Sequence, residues 1–142
     1  MNTDLMFSSK TAEWETPQAF FDRLNWKYHF TLDAAAQPEN AKCKYYFTPN
    51  DDGLSKNWGG QIVWCNPPYG REIGKWVKKG YEESKESVVV MLLPARTDTG
   101  WFHDYCTKGV ITFLRGRLKF GNGKTPAPFP SMVVEFDRRD KA

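Results

Sequence analysis

Cysteine and histidine are scarce in this chain, 3 and 2 among 142 residues. Cys43, Cys65 and Cys106 lie far apart, with no CxxC pair and no histidine cluster beside them, which excludes a disulfide framework and a zinc site, so no bound metal is expected. Unpaired thiols of this kind belong in a reducing compartment, and the expectation is a cytoplasmic location. Nothing approaches the run of ~20 apolar residues that crosses a bilayer, and residues 1–10 lack the charged-then-apolar order of a secretory leader, so no membrane partner is expected. A strong charge of either sign is missing too. Lys and Arg number 20 and Asp and Glu 17, and a net charge of +3 permits a polyanionic partner without requiring one. No internal repeat and no second hydrophobic block is visible, which predicts one domain over residues 1–142, with the polar, aperiodic stretch 1–13 as a flexible lead-in.

What the chain has in quantity is aromatic residues, 15% of the total including 6 Trp, enough for a core and for stacking surfaces. Thr16 and Pro17 suit the cap and first turn of a helix whose apolar face is Phe20, Phe21 and Leu24, ending near Asn25. Tyr28, Phe30 and Leu32 alternate with His29 and Thr31, predicting a strand that carries Asp33 at its tip, ahead of Ala34, Ala35 and Ala36. Residues 37–60 are rich in turn formers and read as loop around one short element at Tyr45, Tyr46 and Phe47. The apolar run 62–65 reads as a strand stopped by Pro67 and Pro68. Ile73, Trp76, Val77, Gly80 and Tyr81 recur at helical spacing, and 88–93 is uniformly apolar, as in a central strand covered on both faces. Asp98 and Thr99 are candidate caps for a short helix at Trp101, Phe102 and Tyr105. Strands at 110–114 and 132–136 follow, separated by a turn at Gly121-Asn122-Gly123 and a Pro-rich stretch. Alternating strands and helices predict a three-layer α/β sandwich around a mostly parallel central sheet.

The most informative feature is Asn66-Pro67-Pro68-Tyr69 at the end of an apolar strand. Each residue meets a requirement of methylating an amine conjugated to an aromatic ring. The lone pair of such a nitrogen is delocalised, so attack on a methyl sulfonium needs acceptors that hold its N–H groups and favour a pyramidal geometry. The Asn66 side-chain oxygen and the Pro67 carbonyl are two such acceptors. Neither Pro67 nor Pro68 has an N–H, so the turn is stiff and offers no competing donor, and Tyr69 supplies a flat face for a base. Direct transfer needs no covalent intermediate, consistent with a chain that shows no Ser-His or Cys-His arrangement. The plain alternative is a strand terminator. Alternative substrates for the same turn are a guanine amine, an RNA base or a protein glutamine amide, and a non-catalytic DNA-binding protein on a degenerate methyltransferase fold is the reading from another class.

Taken with Trp14-Glu15-Thr16-Pro17, Leu32-Asp33-Ala34-Ala35-Ala36, Asp52-Gly53-Leu54, the segment 93–99 and the segment 113–120, this motif makes the chain resemble the phage-type DNA N6-adenine methyltransferases related to the Dam enzymes, along nearly its whole length. The resemblance implies a Rossmann-like methyltransferase fold, S-adenosylmethionine as cofactor, double-stranded DNA as partner and, for a phage-encoded protein, the host cytoplasm. It places Thr16 and Pro17 against the methionine part of the cofactor and Asp33 and Ala34 at the end of the first strand of its site. A carboxylate such as Asp33 at a strand's carboxyl end can hold an ammonium or a ribose hydroxyl, or cap the next turn. Asp52 is a candidate for the adenosine part or a plain turn residue, and Trp14 can shield the sulfonium or join the core. Ala34, Ala35 and Ala36 depart from the Gly-rich turn that many methyltransferases have there. Cys65 belongs to the apolar strand and reads as buried and inert.

For DNA, Arg115, Arg117, Lys119 and Lys124, interleaved with Leu118 and Phe120, would lie on one side of a strand or hairpin as a phosphate-binding edge, or simply form a solvated face. Arg96, past the end of the central strand, is placed to reach the crevice. A chain this short predicts a small recognition surface and a short or relaxed target sequence.

Overall fold

The computed structural model describes residues 14–121 and 125–140, so the expected flexible lead-in at 1–13, the Asn122-Gly123 part of the expected turn and Lys124 lie outside the described residues. Helix α1, Gln18–Tyr28, buries Phe20 and Phe21. It runs past Asn25 and ends when His29 turns into the left-handed region (φ 57°, ψ 62°) and donates its N–H to the Asn25 carbonyl at 2.8 Å. The Asn25 side-chain oxygen accepts the N–H of Phe30 at 2.8 Å. Tyr28 and Phe30 therefore belong to a helix end and its cap, not to a strand, and their rings stack with centroids 5.3 Å apart. Thr16 is likewise not the cap: Pro17 precedes the helix and no side chain caps it.

Strand β1 is the short Leu32–Asp33 and β2 is Tyr45–Tyr46. Strand β3, Ile62–Cys65, leads through the proline turn to helix α2, Ile73–Glu83, which buries Ile73, Trp76, Val77 and Gly80 at the spacing of one helix face. Strand β4, Val88–Pro94, is buried at every position. Helix α3, Gly100–Asp104, starts at Thr99, whose hydroxyl accepts the Phe102 N–H at 3.3 Å. Strands β5, Val110–Phe113, and β6, Ser131–Asp137, complete a six-stranded sheet in the order β2-β1-β3-β4-β6-β5.

The sheet is mixed, which corrects the expectation of a mostly parallel one. Strands β2, β1, β3 and β4 pair in parallel, but β6 runs antiparallel between β4 and β5 and pairs with both. The reason lies in the connection. No helix is found in the described part of the segment between β5 and β6, so nothing forces a right-handed crossover, and the chain returns directly beside β4 to pair along its whole length, from Val88 with Asp137 to Pro94 with Ser131.

Helices cover both faces. Trp64, Val90 and Glu135 are in register on one face, where Phe21 of α1 packs edge-on to Trp64 at 5.4 Å and the Tyr28 hydroxyl donates to Glu135. Val89, Met91 and Phe136 point to the other, where α2 lies so close at Gly80 that a Cβ would stand 2.8 Å from the Met91 sulfur, and Tyr81 packs on Phe136 at 5.7 Å. Burying side chains such as Leu92, Leu93 and Met132 completely contributes about 1.5–3 kcal/mol each. This core fixes the carboxyl ends of β1 and β3, and these ends carry the site.

Candidate active site

A cavity of about 260 Å³ opens where β1 and β3 end. Trp14, Thr16, Asp33, Ala34, Asp52, Asn66 and Pro68 line it, so residues far apart in the chain meet there. Of the other candidate residues, Pro17, Pro67, Tyr69, Arg96, Arg115, Arg117 and Lys119 do not line it. Sequence reasoning missed the rest of the lining, Glu15, Asn40, Lys42, Phe47, Gly53 and Trp76 among it. Trp76 was hidden in the apolar stripe of α2. Gly53 did carry a signal, because Asp-Gly turns often mark a close backbone approach.

That approach forms one wall. The 3-10 turn Gly53–Ser55 is pressed against the loop after β1, so that a Cβ on Gly53 would stand 2.4 Å from the Ala34 carbonyl oxygen and 3.0 Å from the Trp76 ring. Asp52, just before it, holds a left-handed backbone (φ 58°), which an Asp tolerates better than most side chains. Trp58 anchors the turn from behind. It is fully buried, donates its indole N–H to the Gly53 carbonyl at 3.0 Å and stacks on Trp76 with centroids 6.3 Å apart.

Asp33 ends β1 and is buried. One carboxylate oxygen accepts the Lys42 N–H at 2.9 Å and the other the Ala35 N–H at 3.3 Å. Burial pushes its carboxyl above the ordinary range, and those two backbone donors partly offset the rise. Asp33 thus braces the loop around the cavity while contributing a carboxylate to its wall.

Asn66 follows β3. Its side-chain nitrogen donates to the Trp14 carbonyl and, at 3.0 Å, to the Thr16 hydroxyl. A carbonyl can only accept, so the Trp14 partner fixes which end of the amide is nitrogen. The amide oxygen, Oδ1, is buried and has no hydrogen-bond partner among the described residues. Leaving such an acceptor unpaired costs about 1–3 kcal/mol, a cost that is recovered when a donor arrives.

Tyr69 is turned away from the cavity. Its ring is buried, its hydroxyl donates to the Leu92 carbonyl at 2.7 Å, and Phe129 and Phe120 pack edge-on at 5.7 Å and 6.4 Å. Trp14 packs against the same two phenylalanines at 5.4 Å and 5.5 Å. The proline turn and the Trp14 segment are therefore clamped together by one aromatic cluster. Cys65 is fully buried, and burial raises its thiol well above the ordinary value, so it is held as an unreactive thiol. Burial, with the Asp33 charge adding to it, pushes the Cys43 thiol up to about 12.

The basic side chains lie elsewhere. Arg96 is exposed just beyond β4, and Arg115, Arg117 and Lys119 are exposed on an irregular segment. The expected strand or hairpin at 115–119 is absent among the described residues, so alternation does not order these charges. Gly116 takes a positive φ of 75°, and Arg117 donates to the Ala127 carbonyl at 3.3 Å. Among the described residues no group of three His, Cys, Asp or Glu is placed to hold a metal ion, and no helix is long and apolar enough to cross a membrane.

Strand ends framing a cavity, aromatic and carboxylate walls, and a lining asparagine whose buried amide oxygen is left without a donor define an α/β protein with a pocket suited to a ligand of apolar and polar parts. The chain belongs to the DNA N-6-adenine-methyltransferase (Dam) family, whose profile matches residues 5–132. It is 32% identical over 136 residues to the DNA N-6-adenine-methyltransferase of Haemophilus phage HP1 (strain HP1c1), covering 87% of this chain and 78% of that one. It is 38% identical over 92 residues to the protein of the same name from Escherichia phage T1, covering 63% of this chain and 38% of that one.

Proposed function

We propose that this protein transfers a methyl group from S-adenosylmethionine to the N6 amine of adenine in double-stranded DNA. Family membership supports the reaction class, and the unpaired, buried Oδ1 of Asn66, a residue that lines the cavity, is the observation that carries the site assignment. Adenine N6 bears two N–H bonds and little free lone pair. Asn66 Oδ1 accepts one N–H and the Pro67 carbonyl the other, which localises the lone pair for attack. As the nitrogen gains positive charge its N–H groups become stronger donors, so both acceptors hold the transition state more tightly than the ground state. Pro67 and Pro68 keep the turn stiff, so little reorganisation accompanies the reaction.

The cavity residues fit the donor. Phe47 and Trp76 offer flat apolar walls for an adenine ring, and Asp33 and Asp52 offer carboxylates for an ammonium or ribose hydroxyls. Trp14, Ala34 and the main chain of Thr16 complete the set proposed to hold it, with Pro17 stiffening the segment from outside. When bound, the donor supplies an electrophilic methyl on a sulfonium. The parallel half of the sheet with its crevice at the strand ends suits a Rossmann-like methyltransferase fold. Arg96, Arg115, Arg117 and Lys119 are proposed to contact DNA phosphates while the target adenine leaves the stack, at a cost of a few kcal/mol.

The test is transfer of labelled methyl from S-adenosylmethionine to unmodified duplex DNA by wild type and Asn66→Ala. Wild-type transfer with a loss of two to three orders of magnitude in the variant is expected, by analogy with removing one transition-state hydrogen bond. Equal rates would overturn the assignment.

A further inference from the structure

We propose that Thr16, together with the main-chain carbonyl of Trp14, is a positioning clamp that fixes the Asn66 amide with its oxygen toward the substrate amine. This rests on Asn66 as the amine acceptor and adds the device that keeps it one. An Asn amide can turn half a revolution about its last torsion and exchange oxygen for nitrogen. Turned that way, Asn66 would offer N–H donors to an amine that is itself a donor, and the grip would be lost.

Two partners prevent the turn. The Trp14 carbonyl takes one N–H of Asn66 and the Thr16 hydroxyl oxygen, 3.0 Å away, takes the other. With both N–H groups engaged, Oδ1 is the atom left unpaired, as observed. The clamp is itself held rigid. Thr16 is β-branched and 6% exposed, and Pro17 restricts its backbone. On one side the Glu15 carbonyl accepts the Gly121 N–H at 3.0 Å, and on the other the Pro17 carbonyl accepts the Phe21 N–H at 3.1 Å. Thr16 therefore has a task toward the reacting amine that is separate from any contact with the methyl donor, and it acts through Asn66.

The experiment compares wild type, Thr16→Val, Thr16→Ser, Asn66→Ala and the Asn66→Ala/Thr16→Val double variant. It measures kcat for DNA methylation and, by calorimetry, Kd for S-adenosylmethionine. Valine keeps the shape without the acceptor, and serine keeps the acceptor without the methyl group. Thr16→Val is expected to lower kcat about tenfold, the worth of one neutral hydrogen bond, with Kd within threefold of wild type. Thr16→Ser should restore kcat to within threefold, and the double variant should be no slower than Asn66→Ala, because a clamp has nothing left to hold. The proposal is overturned if Thr16→Val leaves kcat within twofold, if its loss falls on Kd, or if that loss adds to that of Asn66→Ala. An Asn66→Ala enzyme as fast as wild type would instead sink the assignment of Asn66, a separate result.

Discussion

Gly53→Ala is the perturbation whose effect follows most directly from geometry. The added methyl would sit 2.4 Å from the Ala34 carbonyl oxygen, about 1 Å inside ordinary contact, and 3.0 Å from the Trp76 ring. Neither neighbour yields easily. The Ala34 backbone is tied by its N–H to the Trp64 carbonyl at 3.0 Å, and Trp76 is backed by the fully buried Trp58. The turn at 53–55 must move outward and strain or break the Trp58 indole bond to Gly53. Overpacking of this kind costs about 1–3 kcal/mol and the lost bond about 1 kcal/mol more, so about 3 kcal/mol in all. At roughly 3 °C per kcal/mol for a chain of this size, Tm should fall by about 9 °C. Ala34, Asp52 and Gly53 line the cavity, so affinity for S-adenosylmethionine should fall with it, at least tenfold. Thermal unfolding by circular dichroism and calorimetric titration read the two effects. A Tm within 2 °C of wild type, at unchanged affinity, would refute the claim that this close approach builds the cavity wall.

Three further outcomes are expected. Because burial raises the Asp33 carboxyl, its neutral form is the one the fold favours: the associated stability is full below the unfolded pKa of about 3.9 and is lost as pH rises through the folded pKa. The ammonium of a bound donor prefers the ionised form, so wild-type affinity should weaken as pH falls through that raised pKa, while Asp33→Asn should bind more weakly with a flat pH profile in calorimetry. Trp58→Ala removes a fully buried ring and should cost about 3–5 kcal/mol in urea unfolding. Tyr69→Phe removes the hydroxyl bonded to the Leu92 carbonyl at 2.7 Å and should cost about 1 kcal/mol by the same method.

The parts of the fold legible in the sequence are those governed by local pattern. The uniformly apolar β4, the apolar run of β3 stopped by prolines and the apolar stripe of α2 stand where their residues place them. The alternation at Tyr28, Phe30 and Leu32 misled because its two aromatics pack as a helix end and its cap around Asn25, leaving only Leu32 to the strand. The position of β6 between β4 and β5 was not legible, since strand order is set by which edges meet in three dimensions. Within the site, Asn66 stood out through the proline turn that follows it and Asp33 through its place at a strand tip, while Thr16 stood out only through the family resemblance. Phe47 and Trp76 did not, because an aromatic on a core-facing stripe looks the same whether it covers a sheet or a ligand.

The most direct measurement of the central claim is mass spectrometry of nucleosides from DNA incubated with the protein and methyl-labelled S-adenosylmethionine, with RNA and a glutamine peptide as competing acceptors. The expected result is labelled N6-methyladenine from DNA in wild type and its loss in Asn66→Ala. Label in another base, in RNA or in the peptide, with none on adenine N6 in DNA, would contradict it.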